Sequence, residues 1–151
     1  MKNLYFDMDG TIADLYGVED WEQRLNNRDF TVYLEAKPKV NLQALAHRLN
    51  ALKKQGYAVH ILSWGSKTHK GMMDSWLIEI NKIEWLQKHL PSVEFDTITI
   101  LPYGKKKSRA VCDINGYLFD DNEKVRRDWD RHTNGLAFSE TQIFEILEKL
   151  K

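Results

Sequence analysis

The sequence predicts a single α/β domain over residues 1–151, in which a mostly parallel β-sheet lies between two layers of helices. Short apolar runs of strand length alternate along the chain with segments of helical periodicity, and consecutive parallel strands require such crossover helices. The length suits one domain and is sufficient to bury a hydrophobic core. The sequence contains neither a repeat nor a linker that would divide it.

The first strand is predicted over residues 4–6, a wholly apolar run of the kind that is buried on both faces of a sheet. Gly10 lies in the turn that follows this strand. Residues 15–38 are polar and aromatic, and we expect them to form a small insertion with one short helix near residues 21–25.

Two helix–strand units are predicted next. Asn41 is an expected N-cap for a helix that ends at Gly56, and a strand follows over residues 57–62. A longer helix then precedes Pro91, and a third strand is predicted over residues 96–101. The apolar residues at helical spacing are Leu42, Leu45, Ala46, Leu49 and Leu52 in the first helix and Met73, Trp76, Leu77, Ile80 and Ile83 in the second.

The last third of the chain begins with one or two predicted helical turns and continues with a strand over residues 117–119. A helix is predicted from Asn122 onward, and a final strand over residues 135–138. Ser139 and Gln142 have the spacing of a capping box at the start of the last helix. The apolar stripe of that helix consists of Ile143, Ile146, Leu147 and Leu150.

Composition and charge exclude several classes of protein. Hydrophobic residues make up 42% and charged residues 29%, an ordinary globular mixture. Basic and acidic residues number 22 each, so the net charge of zero provides no general attraction to nucleic acid or to an anionic membrane. The single cysteine, Cys112, cannot form an internal disulfide and is expected to be a small buried hydrophobe. Because the sequence shows no signal-peptide or membrane-span pattern, we expect a cytoplasmic protein.

Polar residues suited to metal or phosphate follow three of the predicted strands. Asp7 and Asp9 follow the first, Ser63 follows the second along the chain, and Asp120 and Asp121 follow the strand over residues 117–119. In an open parallel sheet, ligands bind outside the carboxyl ends of the strands, and right-handed crossovers bring those ends to one edge. We therefore expect these side chains to converge.

A cluster of carboxylates of this kind indicates metal-assisted phosphoryl chemistry. Carboxylates in one cleft repel each other unless a cation neutralises them, and Mg²⁺ prefers carboxylate, water and phosphate oxygens. A carboxylate beside that ion can attack phosphorus to form an aspartyl-phosphate, while a second carboxyl transfers protons. Positioned donors and a cation are then needed for the phosphoryl oxygens.

The order of these residues resembles the four motifs of the haloacid dehalogenase (HAD) superfamily. The first and most specific motif is similar to Asp7-Met8-Asp9-Gly10-Thr11-Ile12-Ala13-Asp14. Ser63, a lysine within residues 103–108, and Asp120-Asp121 resemble the second, third and fourth motifs. The pairing of the first and fourth motifs is similar to the 5'(3')-deoxyribonucleotidase branch and to small phage and bacterial members. This resemblance implies a three-layer Rossmann-like fold with a minimal cap insertion at about residues 15–38.

The resemblance also implies roles for individual residues. Asp7 would be the nucleophile and a magnesium ligand. Asp9 would be the general acid and base, and its main-chain carbonyl would bind the metal. Asp120 would be a second metal carboxylate, and Asp121 would bind the metal through water or support it from the next layer of contacts.

Phosphate contacts are implied for a further set of residues. Thr11 would shape the turn and contact phosphate, and Ser63 would donate a hydrogen bond to a phosphoryl oxygen. For the lysine of the third motif we choose Lys107, which directly precedes a predicted helix start, with Lys105 and Lys106 as alternatives. Trp64 either lines the pocket or packs against the sheet.

In this superfamily the segment after the first motif selects the substrate, and here it is short. Its aromatic residues are expected to wall a modest cleft that accepts a small phosphorylated substrate, with a nucleoside monophosphate favoured. These residues are Tyr16, Trp21, Phe30 and Tyr33.

Other interpretations of the same residues stay open at the level of sequence. Asp7 and Asp9 would also suit a simple turn, and Asp120 with Asp121 would suit a helix N-terminus. An end-processing phosphatase acting on oligonucleotides is one alternative function, although it requires a basic groove beside the site. A magnesium- and phosphate-binding module without turnover is another, but such a module has no need of the acid/base Asp9.

Overall fold

The computed structural model describes residues 2–111 and 115–150, so the predicted burial of Cys112 lies outside the described residues. The strands in chain order are β1 (Asn3–Phe6), β2 (Ala13–Asp14), β3 (Lys37–Pro38), β4 (Ala58–Trp64), β5 (Thr97–Leu101), β6 (Gly116–Phe119) and β7 (Leu136–Phe138). The helices are α1 (Trp21–Asn26), α2 (Val32–Glu35), α3 (Leu42–Lys54), α4 (Gly71–His89), α5 (Glu123–His132) and α6 (Ile143–Lys149).

The main sheet has five strands in the order β5-β4-β1-β6-β7, and every neighbouring pair is parallel. Strand β1 is central, which explains why its sequence is apolar on both faces. The expected α/β class with a mostly parallel sheet is therefore confirmed, and the architecture is consistent with a Rossmann-like fold.

Helices cover both faces of this sheet and form the outer layers. Leu4 and Phe6 of β1 belong to a core cluster shared with α3, α4 and α6. Tyr5, which points to the opposite face, belongs to a separate cluster with Val125 and Trp129 of α5. The period of two along β1 thus divides the apolar core between the two outer layers.

The segment between β1 and α3 is more structured than the sequence predicts. The short ribbon of β2 and β3 closes its base, and helix α2 follows the expected short helix α1. Its core consists of buried residues that pack together with Ile78 of α4; these are Leu15, Leu25, Phe30, Val32 and Tyr33. This segment, residues 15–38, is hereafter called the insertion.

Helix α4 presents a different face to the core from the one suggested by its apolar residues. Met73 and Trp76 are 61% and 58% exposed. The buried residues of the helix are instead Asp74, Ile78, Lys82, Trp85 and Leu86. Leu77, Ile80 and Ile83 of the predicted stripe are half-buried, so the periodicity located the buried face only in part. The two charged residues turn inward to partners that come from distant parts of the chain.

Strand β4 continues to Trp64, two residues beyond its predicted end, so that Ser63 lies within the strand. Asn41 caps α3 as predicted, since its side-chain oxygen accepts a hydrogen bond from the Ala44 N–H at 3.0 Å.

Within residues 2–111 and 115–150, we find no helix that combines the length and the apolar character needed to cross a membrane.

Candidate active site

A cavity of roughly 260 Å³ opens at the carboxyl ends of β1, β4 and β6. Its floor contains Asp7, Asp9, Lys107, Asp120 and Asp121, which come from three separate stretches of the chain. The parallel sheet brings these stretches together, because Phe6 at the end of β1 is in register with Ile61 of β4 and Phe119 of β6. The predicted convergence of acids is thus present at one sheet edge.

Lys107 binds two of these carboxylates at once. Its Nζ lies 2.9 Å from Oδ1 of Asp7 and 2.6 Å from Oδ2 of Asp120. All three side chains are almost fully buried. A buried ammonium is stable when it is paired, and this one joins Asp7 and Asp120 directly.

The neighbouring lysines do not share this position. Lys105 and Lys106 are exposed, and the nearest carboxylate contact of Lys106 is with Asp128 at 3.7 Å. The 3₁₀ turn at Lys107–Arg109 directs the Lys107 side chain inward, while the two lysines before it stay at the surface.

Thr11 and Gly10 set the position of Asp121. The Thr11 hydroxyl accepts a hydrogen bond from the Asp121 N–H at 3.1 Å and lies 3.2 Å from Oδ2 of Asp7. Gly10 has a φ of +81°, and a Cβ at this position would collide with the Asp121 carboxylate. Thr11 is fully buried and is hydrogen bonded to both Asp7 and Asp121.

Burial and neighbouring charges shift the pKa values of Asp7, Asp120 and Asp121 in different directions. Burial favours the neutral form of Asp7, but the charge and hydrogen bond of Lys107 hold its pKa below the ordinary value. Burial and the negative charge of Asp7 raise the pKa of Asp120 to about 6 and that of Asp121 to about 7. The cluster therefore combines an ionised Asp7 with neighbours that bind protons readily.

Asp9 lies at the floor of the cavity and has a raised pKa, chiefly because of burial, with a further contribution from Asp7. Lys82 opposes this shift, since its Nζ lies 2.8 Å from Oδ2 of Asp9. A carboxyl group that retains its proton more readily than usual, next to an ionised carboxylate, is a suitable proton donor.

Ser63 is fully buried, and its hydroxyl accepts a hydrogen bond from Lys82 at 3.0 Å. Lys82 also donates to the main-chain carbonyl of Trp64 at 2.6 Å. Ser63 does not line the cavity, whereas Trp64, Ser66 and Thr68 do. Ser63 thus contacts a lysine that the sequence analysis did not select, and its expected contact with phosphate stays a prediction.

Aromatic side chains form the walls of the cavity. Trp64 and Tyr103 contact each other with ring centroids 4.9 Å apart, and the Trp64 Nε1 donates to the Lys105 carbonyl. Tyr16, Trp21 and Tyr33 of the insertion line the cavity as well. Phe30 does not, because it is buried in the core of the insertion.

One carboxylate oxygen from each of Asp7, Asp120 and Asp121 lies within 4.8 Å of the other two. Three carboxylates at this separation are hard oxygen donors of the kind that Mg²⁺ takes as ligands. Their residue types and spacing therefore fit a divalent cation.

The geometry brings together Asp7, Asp9, Lys107, Asp120 and Asp121. Sequence reasoning missed Lys82, Tyr103 and the pairing of Arg28 with Asp74. For Lys82 a signal existed, because it lies four residues after Ile78 and four before Leu86, on the stripe that α4 buries. Tyr103 has no such signal, since only the folded loop after β5 brings it to Trp64.

Neither a protein-family model nor a curated protein sequence matches this chain.

Proposed function

We propose that this protein is a HAD-type, magnesium-dependent phosphomonoester hydrolase that acts through an aspartyl-phosphate on Asp7. One observation carries the proposal. Asp7, at the floor of an open cavity, accepts a hydrogen bond from the buried Lys107, which holds its pKa below the ordinary value, and Asp9, whose pKa is raised by burial, follows two residues later. A simple turn or a helix N-terminus has no need of a buried lysine that joins two acids 113 residues apart in sequence.

The proposed reaction has two steps. A carboxylate oxygen of Asp7 attacks phosphorus while the bond to the substrate's ester oxygen breaks, and Asp9 gives its proton to that leaving oxygen. A water molecule then attacks the phosphorus of the aspartyl-phosphate and gives a proton to Asp9. This releases inorganic phosphate and restores the Asp7 carboxylate.

Lys107 and the acidic cluster supply the electrostatics. The Lys107 ammonium keeps Asp7 ionised and lies where it can face a phosphoryl oxygen of the bound group. Mg²⁺ would be held by Asp7, Asp120 and the main-chain carbonyl of Asp9, with Asp121 supporting it, and when bound it neutralises phosphoryl charge. Thr11 keeps Asp121 and Asp7 in register.

A nucleoside monophosphate is the substrate class that the cavity supports best. The cavity has a volume of roughly 260 Å³, which suits a small molecule. Its walls include Tyr16, Trp21, Tyr33, Trp64 and Tyr103. Flat aromatic surfaces bind bases by stacking, and a base at one end with phosphate at the acidic floor uses both parts of the cavity.

The experiment is phosphate release from nucleoside monophosphates, sugar phosphates and an aryl phosphate, with Mg²⁺ and with a chelator. We expect magnesium-dependent release that favours the nucleotides and is lost in Asp7→Asn, a nearly isosteric change. Release by Asp7→Asn at the wild-type rate would remove Asp7 from the nucleophile role. No release from any compound by the wild-type protein would contradict the hydrolase proposal.

A further inference from the structure

Lys82 is a fully buried charged residue with an unusually complete set of contacts. Its ammonium donates to Oδ2 of Asp9 at 2.8 Å, to Oγ of Ser63 at 3.0 Å and to the Trp64 carbonyl at 2.6 Å. Three acceptors use all three N–H groups of a lysine. The ring of Tyr33 covers the ammonium at 4.7 Å from the ring centroid.

Burial of the Lys82 ammonium carries a large desolvation free energy. A buried ion pair contributes little to stability compared with well-packed hydrophobic side chains, so stability alone does not account for Lys82. Its own exposure is 0%, which keeps it from touching a molecule in the cavity. Asp9, with 16% of its side chain exposed, does line the cavity. Asp9 is the cavity-lining carboxyl group that Lys82 contacts directly, so it is the group through which Lys82 acts at short range.

We propose that Lys82 is the positioning residue for the acid/base Asp9, and that Ser63 anchors Lys82 rather than binding the phosphoryl group. This inference rests on the proposed hydrolase function. An ammonium has no acceptor, so the oxygen that it contacts, Oδ2, is fixed as an acceptor. Oδ1 is then the oxygen that carries the transferable proton to the leaving group.

Two of the three acceptors fix the position of the Lys82 ammonium, and the third, Asp9, is oriented by it. Ser63 and the Trp64 carbonyl belong to β4 and are rigidly placed in the sheet, so they fix the ammonium from the core side. Asp9 lies in the turn after β1, outside the main sheet, and takes its side-chain orientation from this fixed ammonium. Tyr33 of the insertion closes the fourth side and excludes water from the pair.

The dependence of the rate on the leaving group tests this proposal. A nucleoside leaves as a basic alkoxide and needs the proton of Asp9, whereas nitrophenolate leaves without one. We expect Lys82→Met to lower kcat/KM for a nucleoside monophosphate about 100-fold, within the range for loss of general acid catalysis, and for nitrophenyl phosphate only about threefold. In an Asp9→Asn background, Lys82→Met should cause almost no further loss.

Two further variants keep the test decisive. Ser63→Ala removes only a hydroxyl group, so it should fold even if Lys82→Met does not. It should lower kcat/KM less than Lys82→Met does, again with a larger loss for the nucleoside monophosphate than for nitrophenyl phosphate. If Ser63 bound the phosphoryl group directly, both substrates would lose equally, because both carry the same group. Lys88→Met, an exposed lysine on the same helix, is the matched control and should behave as wild type.

Each remaining outcome is also decisive. Equal losses for the two substrates, or losses explained by the unfolded fraction in a thermal melt, would assign Lys82 a structural role and overturn the proposal. A wild-type protein that releases phosphate from neither substrate would overturn the hydrolase function itself, and this inference with it.

Discussion

Arg28 of the insertion and Asp74 of α4 form a two-point ion pair, in which Nε of Arg28 lies 3.1 Å from both carboxylate oxygens of Asp74. The hydrogen bond from Arg28 lowers the pKa of Asp74. Asp74 also accepts a hydrogen bond from the Lys70 N–H at 2.7 Å. The insertion is thereby attached to the helix that carries Lys82, and Leu25 and Asn26 beside Arg28 line the cavity.

Loss of this pair is expected to loosen the cavity wall while leaving the acidic floor in place. Asp74→Asn should raise KM for a nucleoside monophosphate about tenfold, because small displacements of positioning residues are costly, with a smaller change in kcat. Steady-state kinetics and a thermal melt check this. The matched control is Arg127→Ala, which breaks an exposed Arg–Glu pair on α5 and should change neither quantity. An unchanged KM in Asp74→Asn would contradict the attachment role.

Lys107 offers a test that separates it from its neighbours. Lys107→Met removes the ammonium between Asp7 and Asp120, so we expect kcat to fall about 100-fold or more, as for loss of a preorganised electrostatic group. Lys105→Met and Lys106→Met are the matched controls and should retain wild-type rates, because both side chains are exposed. A large loss in either control with little loss in Lys107→Met would move the third motif to that lysine.

The acidic cluster predicts an unusual dependence of stability on pH. The pKa of Asp120 is about 6 and that of Asp121 about 7, both above the ordinary value of 3.8. Between the ordinary pKa and these raised pKa values, the folded state binds more protons than the unfolded state. The stability that comes from this extra proton binding is lost as pH rises from about 4 to about 7. For the metal-free protein, we expect Tm to fall over that window.

Addition of Mg²⁺ should remove much of this fall, because a bound cation replaces the protons as the neutralising charge. Thermal melts at several pH values, with Mg²⁺ and with a chelator, make the measurement. Asp121→Asn removes one of the two groups and should flatten the metal-free curve. A Tm that is insensitive to Mg²⁺ at pH 8 would contradict a cation site at these carboxylates.

The aromatic wall predicts selectivity for a base. Tyr103→Ala should raise KM for a nucleoside monophosphate about tenfold, since stacking on one aromatic side chain contributes about 1–3 kcal/mol. For a sugar phosphate, KM should stay unchanged. Trp76→Ala, which removes an exposed aromatic residue of α4 outside the cavity, is the matched control. Equal effects of Tyr103→Ala on both substrates would argue against base stacking.

The positions of most strands could be predicted from the local pattern of apolar and polar residues. The sequence pattern identified the five strands of the main sheet to within two residues at each end. The three inner strands, β4, β1 and β6, are largely buried on both faces and therefore contain few polar residues. Helix α2 and the ribbon of β2 and β3 were missed, because elements of two to four residues are too short for periodicity to register.

The sequence by itself determined the acids of the floor. Asp7, Asp9, Asp120 and Asp121 each follow a buried strand, and the rule that parallel strands present their carboxyl ends at one edge is sufficient to bring them together. The choice of Lys107 from three consecutive lysines depended on the resemblance and on a predicted helix start, and the 3₁₀ turn directs that residue to Asp7.

Only the tertiary structure decided which face of α4 is buried. A lysine and an aspartate within a helix are expected to face solvent, because burial of an unpaired charge is costly. Lys82 and Asp74 turn inward because Asp9 and Arg28, 73 and 46 residues away, provide their counter-charges. Periodicity measures hydrophobicity along one segment and contains no information about distant partners. The helical spacing of Lys82 from Ile78 and Leu86 places it on their stripe, but only its contact with the distant Asp9 shows that this lysine is buried and reaches the acid/base.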